Sequence, residues 1–140
     1  MVDLESKILA RELGQFGGFG ARWIARHLPS VSFEAHFEIG ESSIVVASAV
    51  ERLLTEVGAT VPELVFDAGI GRFGAIVGSG RLNLNPTIVL IQLESVESRT
   101  SVFVRAVAKE GLIKQHSARS AVEQIKATLE SLLDFTREPR

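Results

Sequence analysis

Hydrophobic and polar positions alternate without a break along residues 31–39 of this chain. The sequence there reads VSFEAHFEI, in which every second residue is apolar and the residues between are serine, glutamate or histidine. This two-residue period is typical of a β-strand that buries one face and exposes the other. The segment is therefore predicted to be a half-buried strand. Its apolar face consists of Val31, Phe33, Ala35, Phe37 and Ile39.

A helical period of apolar residues is present in three other segments. The first covers residues 3–28, and we expect two helical pieces there, because glycines in its middle each weaken a helix by up to about 1 kcal/mol. The second is capped by Ser42 or Ser43 and ends at Gly58. The third begins at Ser117 and predicts a long closing helix.

The helical period is absent between Pro62 and Lys114, where turn residues separate four extended runs. The connections between these runs are short. Short connections favour an antiparallel meander, since a parallel crossover needs about a dozen or more linking residues. The four predicted strands cover residues 63–69, 71–81, 87–95 and 99–110.

The run DAGIGRFGAIVGSG contains the spacing G-x-G-x-x-G at Gly69, Gly71 and Gly74. In a dinucleotide loop, a helix follows this spacing and its N-terminus faces the pyrophosphate. The residues after Gly74 lack a helical period and include further glycines, so we predict no phosphate loop. Glu94 lies 20 residues beyond Gly74, where a ribose-binding acid would lie, and this spacing leaves nucleotide binding as the alternative.

Glycine within a strand more often marks a bend or the close approach of another part of the chain. We therefore expect these glycines to let the sheet curve over the C-terminal helix. The missing side chains would leave room for bulky helix residues such as Leu129, or for a cavity.

The last two predicted strands carry apolar residues on both faces. In residues 99–110, Phe103 and Val107 share one face with Arg105 and Lys109, opposite a continuous apolar face. An exposed apolar face of this size is uncommon unless something covers it. We predict that the N-terminal segment, residues 1–28, folds over it. A second copy of the chain, forming a homodimer, is the alternative.

The predicted element order is strand, helix, four strands and helix, after an N-terminal helical segment. It describes an α+β domain in which a curved antiparallel sheet packs on a long C-terminal helix. Across residues 31–135 this order resembles the fold of the TATA-binding protein domain and, in expanded form, of the helix-grip proteins of START and Bet v 1-like type. The resemblance implies a fold, and in Bet v 1-like members usually a cavity under the sheet, but no activity. The predicted divisions are an N-terminal helical extension over 1–30, one domain over 31–135 and a tail over 136–140.

The composition of the chain excludes some classes of chemistry and indicates a cellular compartment. The chain has 140 residues, a net charge of −2 and no cysteine, which excludes disulfides, thiolate metal sites and thiol catalysis. We expect a reducing cytoplasm, because the N-terminus lacks the pattern of a secretory signal and no apolar run approaches the roughly 18 residues of a membrane-spanning helix. Nucleic-acid binding is not expected, since no domain-wide basic excess is present.

Two polar clusters are candidates for chemistry. His36 lies between Glu34 and Glu38 on the polar face of the first strand, an arrangement open to acid–base work or metal binding, though a solvated outer face is the preferred interpretation. Near the entrance to the last helix, a basic cluster is open to anion binding, though a charged turn is the preferred interpretation. The residues of this cluster are Lys114, His116 and Arg119.

The leading hypothesis is a non-enzymatic domain, without cofactor or metal, that binds an apolar small molecule or a protein partner. A helix-grip hydrolase or isomerase using His36 or His116 is the alternative. The N-terminal aromatic residues, interleaved with arginines, are also open to docking on a partner or a membrane surface, with core packing as the preferred interpretation. The predicted ligand or partner contacts are Phe16, Phe19, Trp23, Phe73 and Phe103.

Overall fold

The computed structural model describes residues 30–78, 86–109 and 117–137. Within them, a curved six-stranded antiparallel sheet is combined with two helices, which confirms the predicted α+β class. In chain order the elements are β1 (Ser30–Ile39), α1 (Ser43–Val57), β2 (Gly58–Ala59), β3 (Phe66–Asp67), β4 (Arg72–Val77), β5 (Thr87–Val96), β6 (Arg99–Lys109) and α2 (Ser117–Arg137).

The first strand of the sheet lies beside the last. The strand order is β1-β6-β5-β4-β2, and β3 also pairs with β4. β1 is antiparallel to β6 along its whole length, from Ser30 opposite Lys109 to Ile39 opposite Thr100. β4, β5 and β6 form the predicted meander. β1 is thus one edge of the sheet, although it is the first strand in the sequence and its neighbour β6 is the last.

α1 begins where the sequence predicts. Ser42 is its N-cap, and the side-chain oxygen accepts a hydrogen bond from the Val45 amide at 3.4 Å. Gly58 ends the helix, and its amide donates to the Leu54 carbonyl. The sequence did not predict that β2 follows at once and pairs with β4. The end of α1 is therefore attached to the sheet edge.

Both helices lie on one face of the sheet, which we call the inner face. α2 packs on β1, β6 and β5, and α1 packs beside α2 on β4 and β5. Two cationic side chains of α2 lie over aromatic rings of the edge strand β1. Lys126 Nζ is 5.3 Å from the ring centre of Phe37, and Arg119 Cζ is 5.8 Å from the ring centre of Phe33. No helix in the described part of the chain is long and apolar enough to cross a bilayer.

The predicted strand over residues 63–69 is wrong for most of its length. Only its centre, as β3, pairs with β4. Pro62 has no amide to donate to a sheet ladder, and the Leu64 amide donates instead to the Val61 carbonyl at 3.2 Å, which closes a turn. This part of the chain is a connection that packs against the sheet.

The predicted strand over residues 71–81 is confirmed from Arg72 to Val77, so the helix that a dinucleotide loop needs does not form there. Gly71 has a φ of 69°, in the left-handed region that favours glycine. Its carbonyl accepts a hydrogen bond from the Leu93 amide at 2.8 Å. This bond ties the turn before β4 to β5.

Candidate functional site

The side chains that point away from the helices form the outer face of the sheet. The strand registers place His36 opposite Phe103, Phe103 opposite Gln92, and Gln92 opposite Arg72. Because side chains in register share a face, these four residues form one row across four strands. The row runs from an exposed imidazole at the β1 edge to an exposed guanidinium on β4, and the exposed Asp67 of β3 follows it opposite Arg72.

The next row contains Gly74, and the absence of a side chain there lets the chain after α1 lie directly on the sheet. A Cβ built on Gly74 would lie 2.8 Å from Leu64 Cβ, 3.1 Å from the Val65 carbonyl oxygen and 3.2 Å from Leu90 Cδ2. These contacts are on the outer face. The expectation that Gly74 makes room for Leu129 of the C-terminal helix is therefore wrong, since Leu64 fills this space.

Residues 63–65 form one wall of an apolar depression on the outer face, with a volume of about 390 Å³. We call it the outer-face depression. Its apolar lining residues are Leu64, Val65, Phe73, Leu90, Ile91 and Phe103, and its polar lining residues are Glu63, Arg72, Gln92 and Arg105. A second depression of about 280 Å³ adjoins it and shares Gln92 and Phe103, with His36, Glu94 and Ser101 on its far side.

The predicted second apolar face of the sheet is confirmed, and the segment between α1 and β3 covers part of it. Ile76, Ile88 and Val107 form an outer-face cluster against which Val61 and Leu64 pack. The cover thus comes in part from the segment between α1 and β3. Residues 1–28, predicted to provide the cover, lie outside the described residues.

Charged side chains at the outer-face depression differ in their pairing. Arg105 Nε lies 3.9 Å from Glu34 Oε1 on the neighbouring strand. The Arg72 side chain is exposed and forms no hydrogen bond or ion pair with the described residues, and the same holds for the side chain of Gln92 beside it. Hydrogen-bond donors of Arg72 and Gln92 are therefore available at the rim.

His36 is exposed at the sheet edge, in agreement with the preferred interpretation of a solvated outer face. Its Nε2 lies 2.7 Å from Ser101 Oγ, and its ring meets Phe103 edge-on with 6.0 Å between centres. Among the described residues, no carboxylate hydrogen-bonds to the imidazole. Ser101 lies in a strand paired on both sides, so the amides near it belong to sheet ladders and are not placed to stabilise an oxyanion.

This serine–histidine pair is therefore better suited to hydrogen-bonding a ligand than to nucleophilic catalysis, which needs an oriented base and oxyanion donors. Within the described ranges, no group of three or more histidine, aspartate or glutamate side chains is placed to hold a metal ion.

The other residues predicted from the sequence as contacts differ in position. Phe73 is among the residues that line the outer-face depression, although only 2% of its surface is exposed and its ring lies edge-on to Phe66. Arg119 Nε, on the first turn of α2, lies 3.4 Å from Glu123 Oε2. The predicted site residues that lie outside the described residues are Phe16, Phe19, Trp23, Lys114 and His116.

The space between the sheet and α2 is filled in the described part of the chain. Side chains that meet there, such as Val104, Ile125 and Leu129, are at most 1% exposed. A cavity large enough for a ligand would leave its lining accessible to a water-sized probe. The ligand space predicted between the sheet and the C-terminal helix is therefore not found among these residues, and the depression of about 700 Å³ that Leu132 and Leu133 line lies between α2 and α1.

No protein-family model and no curated protein sequence matches the chain. The crystal structure of Ara h 8.0201, a Bet v 1-like allergen, is similar to it with a TM-score of 0.56, over 76% of this chain and 97% of the allergen chain. The fold is Bet v 1-like. Of the resemblances predicted from the element order, this likeness confirms the one to the Bet v 1-like helix-grip fold. At 8% sequence identity the likeness shows the fold alone, so function has to be argued from the site.

Proposed function

We propose that this chain is a non-enzymatic binding domain that holds an apolar small molecule in the outer-face depression. The observation that carries the proposal is the depression itself, about 390 Å³ in volume and lined mainly by apolar groups. Small-molecule sites have volumes of about 300–1,000 Å³ and combine an apolar lining with a few polar groups. The outer-face depression meets both criteria.

The neighbouring elements favour this location over the space beneath α2. Leu90 and Phe103 lie on strands that are paired on both sides, so the floor of the depression is held by sheet ladders. One wall is held by the contact of Leu64 with Gly74. A site built on paired strands keeps its shape without a ligand, which lowers the ordering cost of binding.

Replacing Phe103 with serine is expected to weaken binding of N-phenyl-1-naphthylamine, an uncharged probe whose fluorescence rises in apolar surroundings. Covering a phenylalanine side chain contributes about 1.5–3 kcal/mol, which corresponds to a loss of affinity of roughly tenfold or more. Fluorescence titration of the wild type and of Phe103→Ser measures this difference.

Val96→Ser is the matched control. Val96 is an apolar residue on the same face of the same sheet, 45% exposed, and outside the outer-face depression. Its replacement is expected to leave the probe affinity within about twofold, since it removes no contact with the ligand. Equal affinities for the wild type and both variants would contradict the proposed site.

A protein partner, including a second copy of the chain, is the second candidate. Ile44 and Ile70 are 82% and 59% exposed and line one depression between the start of α1 and the turn before β4. Exposed apolar side chains that cluster in this way are typical of interaction surfaces. Native mass spectrometry separates the candidates. A co-purified small molecule on a monomer supports the first, and a ligand-free dimer that Ile44→Glu dissociates supports the second.

A further inference from the structure

We infer that the ligand of the outer-face depression is an amphipathic anion, an apolar ring or chain that carries one carboxylate or sulfonate recognised by Arg72. This inference rests on the proposed function and adds the chemical class of the ligand. It is based on the charges that line the depression and on which of them already have partners.

The lining of the outer-face depression carries an excess positive charge. Arg72 and Arg105 contribute two positive charges and Glu63 one negative charge, which leaves +1. Arg105 forms an ion pair with Glu34, in which Arg105 Nε lies 3.9 Å from Glu34 Oε1. Asp67 lies opposite Arg72 in the β3–β4 register, but its Oδ1 accepts a hydrogen bond from the Gly69 amide at 2.9 Å, and no ion pair joins it to Arg72. The Arg72 guanidinium is therefore the positively charged group of the lining that is available to an anionic ligand.

Hydrogen-bonding groups at this rim suit an oxyanion. The Arg72 guanidinium presents donors in a planar fork that matches the two oxygens of a carboxylate or sulfonate. Gln92 lies directly opposite Arg72 in the β4–β5 register, and its amide supplies a further donor. Since Arg72 is exposed, the anion would remain partly hydrated and no charge would be buried without a partner.

Apolar groups begin immediately beside these donors. Phe103 is the cross-strand neighbour of Gln92 on β6, and Leu90 precedes Gln92 on the same face of β5. A ligand with its anionic group at Arg72 would thus place its apolar part over Leu90 and Phe103. This spacing favours a compact molecule in which one anionic group is attached to a ring system or a short chain.

The inference is tested with two probes that share one aromatic body. N-phenyl-1-naphthylamine is uncharged, and 8-anilinonaphthalene-1-sulfonate has the same rings with a sulfonate. Arg72→Gln is expected to weaken binding of the sulfonate by about threefold to tenfold, an effect between that of an exposed ion pair and that of a hydrogen bond to a charged group. The affinity for the uncharged probe should change by less than about twofold, because its contacts are apolar.

Arg52→Gln is the control for the loss of one positive charge. Arg52 is an exposed arginine on α1, with Nε 3.8 Å from Glu56 Oε1, and it does not line the outer-face depression. This variant is expected to bind both probes as the wild type does. A larger loss of sulfonate binding for Arg52→Gln than for Arg72→Gln would overturn the inference, because it would locate the anion site at α1.

The two proposals fail in different ways. If the wild type binds neither probe, or binds both with no effect of Phe103→Ser, the proposed function is wrong. If Phe103→Ser weakens both probes while Arg72→Gln affects them equally, the outer-face depression binds a ligand but the assignment of an anion to Arg72 is wrong. Weakening of the sulfonate alone by Arg72→Gln supports both. Thermal unfolding of each variant verifies that the fold is retained.

Discussion

Replacing Leu129 with alanine is expected to lower the free energy of unfolding by about 2–5 kcal/mol. Leu129 is completely buried within the core cluster formed by α2, α1 and the inner face of the sheet. Its truncation removes apolar contacts and leaves a cavity that closely packed neighbours cannot close. Urea denaturation should show a lower midpoint with an unchanged slope.

Ile44→Ala is the control for this prediction. Ile44 is 82% exposed on α1, so removing its side chain is expected to change stability by no more than about 0.5 kcal/mol. Because Leu129 packs against the inner face of the sheet, away from the outer-face depression, the folded Leu129→Ala variant should bind the probe as the wild type does. Equal stability of the two variants would contradict the described core.

Replacing Gly74 with alanine is expected to destabilise the domain by about 1–3 kcal/mol, the usual cost of overpacking. The new Cβ would lie 2.8 Å from Leu64 Cβ and 3.1 Å from the Val65 carbonyl oxygen. One of these contacts is with the backbone, so a rotamer change cannot relieve it, and residues 63–65 must move away from β4. The same shift displaces a wall of the outer-face depression, so the affinity for N-phenyl-1-naphthylamine should fall as well.

Gly40→Ala provides the matched control for Gly74→Ala. A Cβ at Gly40 meets no atom within 4 Å, so this variant is expected to be neutral or stabilised by up to about 1 kcal/mol. Denaturation midpoints and probe titrations of the two variants test both effects together. If Gly74→Ala were as stable as Gly40→Ala and bound the probe normally, the seating of residues 63–65 on β4 would be incorrect.

The sequence predicted those elements whose periodicity reflects burial on a single face. β1 alternates because its inner residues meet α2 while Glu34, His36 and Glu38 face outward. The apolar stripes of α1 and α2 follow from packing on one sheet face. Two apolar faces in the last strands were also visible, since Phe103 and Val107 interrupt the alternation of β6.

The sequence did not predict how the chain between α1 and β4 is folded. Residues 63–69 look like a strand because Leu64, Val65 and Phe66 are apolar, but two of these contribute to the outer-face depression and only Phe66 enters a strand. What decides the local structure is the close approach to Gly74, a contact between residues that are not adjacent in the sequence. Periodicity alone does not report such a contact.

The candidate site was predicted only in part for the same reason. Phe103 is predictable as an apolar residue on the second face, and the structure places it in the outer-face depression. The sequence does not indicate that Phe73, which also lines the depression, is almost fully buried, because this follows from the register that directs its side chain inward. Leu64, Leu90 and Arg72 were missed, because only the strand registers and the seated connection bring them together.

Intermolecular NOEs between N-phenyl-1-naphthylamine and methyl-labelled protein test the location of the ligand most directly. Methyl groups of Leu64 and Leu90 line the outer-face depression, whereas those of Val104 and Leu129 lie between the sheet and α2. We predict NOEs from the probe to Leu64 and Leu90 and none to Val104 or Leu129. NOEs to Val104 and Leu129 in place of these would put the ligand beneath α2 and contradict an outer-face site.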